Sequence, residues 1–304
     1  MLLVDHEKCR SRRGPLGDFL TARRASLDAV QAGLSHNGQK RRVPGLRREE
    51  VAQLAGISTD YYSRLEQGRV RTASRAVLHN LGRALRLNGD QHRYLLQLAN
   101  HEGGHRGRRK DVDRHIRPQV ARLLVNLIDT PALVFSPYLD ILAWNRLASA
   151  LLGNLAKKEA KHRNYVRMVF LDPHTRSLLV DWRQRAQEAV STLRMAVGRH
   201  PAQARMRDLV DELNTCDQDF RVWWSQHLVT MRTHAQSRLN HPVAGRFSVD
   251  CQALNCVDDN GHVVVVLSAP AGSPAHDAIR RLDAWAVEHG IQHGACADRE
   301  DLPI

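Results

Sequence analysis

Apolar residues recur at three- and four-residue intervals through the first hundred positions: Leu16, Phe19 and Leu20; Val51, Leu54 and Ala55; Ile57, Tyr62 and Leu65; Val77, Leu78, Leu81 and Leu85; Tyr94, Leu95 and Leu98. This spacing gathers side chains on one face of a helix, so residues 16–100 are expected to form five short helices with no convincing strand. Past Arg117-Pro118 the pattern becomes mixed. Residues 132–135 and 139–144 read as the strands of a hairpin around Ser136-Pro137, and Asn145 is placed to cap a helix ending at Gly153. Asp172-Pro173 and Asp181 are further expected helix starts, and residues 202–227 keep helical spacing through Leu209, Leu213, Phe220 and Trp224. Strands return at 245–249 and 263–267, with Asp258-Asp-Asn-Gly261 as the turn before the last.

The stretch from His101 to Lys110 is rich in glycine and charge and has nothing apolar to bury, which makes it a linker. The expected organisation is an N-terminal extension (1–15), a helical domain (16–100), a basic linker (101–117), an α+β domain (118–282) and a C-terminal tail (283–304). Charge follows the same division. The net charge is +13, and residues 1–117 hold 24 Lys and Arg against 12 Asp and Glu, whereas residues 118–304 hold 21 against 20. A basic module concentrates on polyanions because each neutralised phosphate releases condensed counterions, so the first domain is a nucleic-acid candidate and the second is not.

The longest uncharged aliphatic run, 263–267, is far too short to span a bilayer, and the first residues lack the basic-then-apolar order of a secretory signal. Five scattered cysteines with no C-x-x-C pair encode neither a disulfide framework nor a zinc finger, which fits a reducing cytoplasm.

One segment decides what the basic domain does. In Arg48-Glu-Glu-Val-Ala-Gln-Leu-Ala-Gly-Ile-Ser-Thr-Asp-Tyr-Tyr-Ser-Arg-Leu-Glu-Gln-Gly68, Glu49 and Glu50 sit in the first turn of a helix, where carboxylates complement the dipole. Gly56 supplies a sharp turn, Ser58 caps a second helix, and Ile57, Tyr62 and Leu65 turn inward to lock the pair together. That packing leaves Thr59, Asp60, Ser63 and Arg64 outward, on the face that enters a major groove, and these are the expected base-reading residues. Arg64 suits the O6 and N7 acceptors of guanine; Asp60 can accept from a cytosine amino group, or instead orient Arg64 or help cap the helix. Arg48, Ser58, Gln67 and Arg69, at helix ends beside the groove, are expected on phosphates. A long loop over 28–46 carries Lys40, Arg41 and Arg42, which either reach phosphates or the minor groove or belong to a disordered basic loop.

Leu16-Gly-Asp-Phe-Leu-Thr-Ala-Arg-Arg24, Arg42-Val-Pro-Gly-Leu-Arg-Arg-Glu-Glu-Val51 and Asp60-Tyr-Tyr-Ser-Arg-Leu-Glu-Gln-Gly68 resemble the start of XRE-type bacterial transcription regulators that carry an MmyB-like ligand-binding domain. The resemblance continues in Pro131-Ala-Leu-Val134, Leu142-Ala-Trp-Asn145, Val169-Phe-Leu-Asp-Pro173, Gly198-Arg-His-Pro201 and His241-Pro-Val-Ala-Gly245. It implies a lambda-repressor-like, all-α helix-turn-helix domain followed by an α+β, PAS-like domain. It also implies a small hydrophobic ligand, with fatty acids the leading class. The chain departs from the family at Arg71-Thr-Ala-Ser74, where Ser74 must cap alone, and at His227-Leu228, which replaces the usual His-Asp.

Phe135, Leu142, Trp144, Leu151, Phe170, Trp182, Phe220, Trp224 and Phe247 are core-like positions from which an apolar pocket would be lined, with Arg167, Arg221 or His227 meeting a carboxylate. Catalysis is not expected: there is no G-x-S-x-G elbow, no phosphate-cradling loop and no H-E-x-x-H. His289, His293 and Cys296 have metal-like spacing but lie in a polar tail, so neither a metal nor another cofactor is expected. The expected partners are double-stranded DNA, a small hydrophobic ligand and a second copy of the chain, because one helix-turn-helix reads only a few base pairs and a symmetric dimer reads a palindrome.

Overall fold

The computed structural model describes residues 14–27, 45–70, 72–102, 115–199, 203–226, 236–256 and 261–295. They form two compact units, residues 197–199 and 223–226 grouping with the first.

The first unit is helical, with α1 (Pro15–Ser26), α2 (Arg48–Ala55), α3 (Thr59–Glu66), α4 (Arg75–Ala84) and α5 (Gly89–Glu102). Proline opens α1, Ser58 caps α3 and Ser74 alone caps α4, its hydroxyl accepting from Val77 N at 3.3 Å. Phe19, Leu20, Val51, Tyr62, Leu65, Leu81 and Leu95 are completely buried, so the helical periodicity does mark the core. Phe19 meets Tyr94 edge-on at 5.2 Å, joining α1 to α5. Three positions depart from expectation: Leu54 is 39% exposed, and Ile57 and Val77 are only half-buried. α1 lies so close to α3 that a Cβ at Gly17 would collide with the Glu66 carbonyl.

The second unit holds α6 (Pro118–Asn126), the hairpin β1 (Ala132–Phe135) and β2 (Ile141–Trp144), then α7 (Arg146–Leu151), α8 (Tyr165–Leu171), α9 (Pro173–Leu178), α10 (Trp182–Arg199), α11 (Ala204–Cys216) and α12 (Gln218–Ser225). β3 (Gln236–His241), β4 (Gly245–Asn255), β5 (Val263–Ser268), α13 (Pro274–Glu288) and β6 (Gly294–Ala295) complete it. The strands make one antiparallel sheet in the order β3-β4-β5-β1-β2-β6, with a register shift in the hairpin between Val134 and Phe135. Asn145 caps α7 by accepting from Ala148 N at 3.0 Å, while its amide group donates to the Leu127 and Thr130 carbonyls at 2.8 and 2.7 Å. Asp172 caps α9 as expected, accepting from Thr175 N.

Two expectations are corrected, and one is extended. The helical stretch over 202–227 is two helices, broken at Asp217, which caps the second by accepting from Phe220 N at 2.8 Å. Asp181 stands at the start of α10, where a helix start is expected, its carbonyl accepting from Arg185 N at 3.1 Å, and its carboxylate also binds Arg238 of β3. Residues from 283 onward are no appended tail up to Ala295: α13 runs through the boundary, Leu282, Ala286 and Ile291 are buried, Asp283 receives Arg146 at 2.7 Å, and β6 pairs with β2.

Candidate nucleic-acid interface

α2 and α3 form a helix pair joined by Gly56, whose left-handed backbone (φ 66°) closes α2 through bonds from its own amide to the Ala52 and Gln53 carbonyls. Glu50 accepts from the Arg47 backbone amide at 2.6 Å, so that first-turn carboxylate ties the start of α2 as well as complementing its dipole. Ser58 Oγ accepts from Tyr61 N at 3.1 Å. Tyr62, Leu65 and Glu66 are buried, and Gly68 (φ 67°) turns the chain away.

With that face inward, Thr59, Asp60 and Arg64 are exposed and Ser63 is half-buried. Arg64 and Asp60 lie 3.8 Å apart, 54% and 81% exposed, so the carboxylate is near enough to steer the guanidinium without anchoring it. Gln67 is half-buried and Arg69 exposed. Of the residues expected on phosphates, Ser58 spends its hydroxyl oxygen on the cap. Arg48 is tied inward, its Nε donating to Glu66 at 2.6 Å. Arg41 and Arg42 lie outside the described residues.

Glu66 is the residue that sequence reasoning missed. It is fully buried and holds two arginines: Arg24 Nε donates to Oε1 at 2.6 Å and Arg48 Nε to Oε2 at 2.6 Å. Arg24 also donates to the Leu46 carbonyl at 2.8 Å, returning the bond that Leu46 N makes to Arg24 O. Burial alone would push the Glu66 carboxyl up, but bonds and charge from Arg24 and Arg48 outweigh it and hold the group below its ordinary value. Burial beside the same carboxylate pushes the Tyr62 hydroxyl well up, keeping it neutral. The triad fixes α3 against α1 and the start of α2, and so fixes how far the outward face of α3 projects.

In the second unit, Phe170 meets Trp182 at 5.9 Å and Phe220 at 5.2 Å, both edge-on, and Trp182 donates its indole N–H to the Val169 carbonyl at 2.7 Å. Leu142 packs elsewhere, with Leu124, Ala132, Val134, Ala143 and Val264 beneath α6. Phe135, Trp144, Leu151 and Phe247 are buried, and the Arg163 guanidinium lies 5.0 Å over the Trp144 ring. Trp224 is half-buried and groups with the first unit. The arginines expected to meet a ligand carboxylate are engaged within the chain. Arg167 grips Glu212 through two nitrogens (2.9 and 3.1 Å), and the exposed Arg221 donates to the Asn214 and Thr215 carbonyls at the end of α11. His227 and Cys296 lie outside the described residues. Among the described residues no group of three or more His, Cys, Asp or Glu could hold a metal ion, and no helix is long and apolar enough to cross a membrane.

The structure thus presents a helix pair whose α3 carries an exposed polar face, and an α+β unit beside it in the sequence, and comparison with known families bears on both. A helix-turn-helix domain model matches residues 15–95. The MmyB-like transcription regulator ligand-binding domain matches residues 116–282, more than half of the chain, and the chain belongs to that family. No curated protein matches it. It is a transcription regulator with a helix-turn-helix DNA-binding domain and a ligand-binding domain.

Proposed function

We propose that the chain is a one-component regulator that binds operator DNA as a homodimer in the cytoplasm, without catalytic activity, and responds to a small hydrophobic molecule of the fatty-acid class. Thr59, Asp60, Ser63 and Arg64 read base edges, while Ser58, Gln67, Arg69 and the basic residues Arg41 and Arg42 take phosphates. Arg48 contributes to both fold and phosphate through whatever of its guanidinium the Glu66 bond leaves outward. The observation that carries this reading is the exposed side of α3, on which the threonine, aspartate and arginine stand free of core packing in the most basic part of the chain.

The lambda-repressor-like assignment of the first unit is supported by its five-helix order, and the PAS-like assignment of the second by a sheet in which the first strand lies centrally between β2 and β5. Its aromatic and aliphatic interior suits an acyl chain. Because Arg167 and Arg221 are already engaged, a ligand carboxylate would have to displace Glu212 or find another partner.

The test of DNA reading is fluorescence anisotropy with a selected duplex at fixed salt, challenged by random duplex. Arg64→Ala is expected to lose about 1–3 kcal/mol of discrimination at one base pair, and equal binding of all sequences by the unaltered protein would overturn the reading. Native mass spectrometry of the freshly purified chain tests the ligand. A retained acyl-sized adduct is expected, and a protein that takes up no fatty acid on titration would overturn that part.

A further inference from the structure

We propose that His241 is an acid-sensitive pin in the second unit: a second proton on its ring frees the β3–β4 turn from the helices it is tied to, which gives this regulator a response to acidification of its own. The device needs neither the ligand nor the dimer proposed above.

His241 ends β3, opposite Gly245 of β4, and is 3% exposed. Its Nδ1 accepts from two backbone amides of the turn, Val243 N at 3.2 Å and Ala244 N at 3.3 Å. A ring nitrogen that accepts from N–H groups carries no proton, so the neutral imidazole holds its hydrogen on Nε2. The ring also bonds the backbone of Ala150 at the end of α7, whose carbonyl is the partner that an Nε2–H requires. Both nitrogens are therefore satisfied in the neutral form. A proton arriving on Nδ1 would point at two N–H groups and turn two bonds into two repulsive contacts.

The elements packed around the ring add to the cost of that proton. α9 sets His174 beside it, the ring centroids 5.8 Å apart and edge-on, and His174 Nε2 donates to the Leu151 carbonyl at 2.9 Å. The two histidines thus hang from successive residues at the end of α7. From α13, Arg281 donates to the Ala244 carbonyl at 3.0 Å, which brings a permanent positive charge to the same turn. Trp285 of α13 meets the His241 ring edge-on at 6.3 Å and is itself stacked at 4.5 Å on the exposed His289. The α13 carboxylate Asp283 is held by Arg146 of α7. Burial, and after it the charge of His174, hold His241 below its ordinary value, and the bond to Ala150 offsets only part of this.

The sign follows from these contacts. In a freed turn His241 ionises at its ordinary 6.5, and in the pinned turn at a lower value, so the pin is at full strength above 6.5 and is lost as pH falls toward the folded value. One proton makes the released fraction grow by at most ~10-fold per pH unit in that window. β3 is an outer strand of the sheet and meets β4 through this turn, so release loosens that edge while β1 keeps its pairing to β2 and β5.

The experiment is hydrogen exchange on the full chain from about pH 7.5 to about pH 5, read as protection of residues 241–245 after correction for the intrinsic rate, with β1 as the internal reference. Protection is expected to hold above 6.5 and to fall by up to ~10-fold per pH unit below it, with β1 unchanged. His241→Asn keeps an acceptor where Nδ1 stands and cannot be protonated, and its protection is expected to be flat across the series. His174→Gln keeps a donor for the Leu151 carbonyl and removes the neighbouring imidazole, and a smaller total loss is expected. A flat profile in the unaltered chain would overturn the pin, a comparison that needs no variant and so stands should His241→Asn not fold. A His241→Asn profile that falls with acid as the unaltered one does would overturn it too, as would a loss shared equally by β1, the mark of general acid unfolding. His174→Gln losing as much as the unaltered chain would overturn the part given to His174.

Discussion

Glu66 shows how one side chain can set a recognition surface without touching the ligand. A carboxylate sealed between Arg24 and Arg48 is costly to desolvate, and removing it would leave Arg24 buried and unpaired. Glu66→Gln is expected to destabilise the first unit by ~3–5 kcal/mol, measured as a drop in the midpoint of denaturant unfolding. The pH dependence has a definite sign. Because the folded-state carboxyl is held below 4.5, its contribution is complete above that value and is lost as pH falls through the lower, folded value. Amide protection in α3 should therefore fall with acidification below pH 4.5, and the glutamine variant should lose that part of the slope. The inward set Tyr62 and Leu65 was legible from spacing, since apolar side chains announce the buried face. Glu66, one turn beyond Tyr62, was not, because a carboxylate at such a position reads as solvated unless its arginine partners, 18 and 42 residues away, are known.

At the scale of elements, close approach and continuity matter more than propensity. Gly17 lets α1 lie against the end of α3; the methyl of Gly17→Ala would strike backbone, which cannot swing aside. That substitution is expected to cost about 1–3 kcal/mol by overpacking despite alanine's better helix propensity, and thermal unfolding would show it as a lowered midpoint. Stopping the chain after Leu282 would cut α13 in mid-helix and remove Asp283 from Arg146, Ala286 and Ile291 from the core, and β6 from β2. The truncated chain is expected to lose cooperative unfolding of the second unit, followed by far-ultraviolet circular dichroism; an unaltered transition would show those contacts to be dispensable. The β1–β2 hairpin and the caps at Asn145 and Asp172 were readable because local rules fix them. β3, with the sequence Gln-Ser-Arg-Leu-Asn-His, was not, because an edge strand with two buried residues in six carries too little alternation to be seen. The extent of β4 was also missed, since beyond Val249 its exposed side chains give no apolar signal.

For the whole molecule, the decisive quantity is the separation of charge from sensing. Nearly all of the net positive charge belongs to residues 1–117, so the long-range attraction to DNA comes from the part of the chain that carries α3. Such attraction is released counterion entropy, and it is independent of sequence. Base reading is short-ranged and nearly independent of salt. The two contributions can therefore be pulled apart by measuring affinity for a selected and a random duplex across a salt series. For about 6–10 neutralised phosphates, both affinities should fall by roughly 10³–10⁵ between about 50 and 200 mM salt. Arg69→Ala is expected to weaken both duplexes alike and to flatten the logarithmic salt slope by about 1. Arg64→Ala should leave the slope of the random duplex nearly unchanged while closing the gap between the two duplexes. If Arg64→Ala instead flattened the slope and preserved the gap, Arg64 would be a phosphate contact, and the reading of α3 as a base-contacting helix would have to pass to Thr59, Asp60 and Ser63 alone.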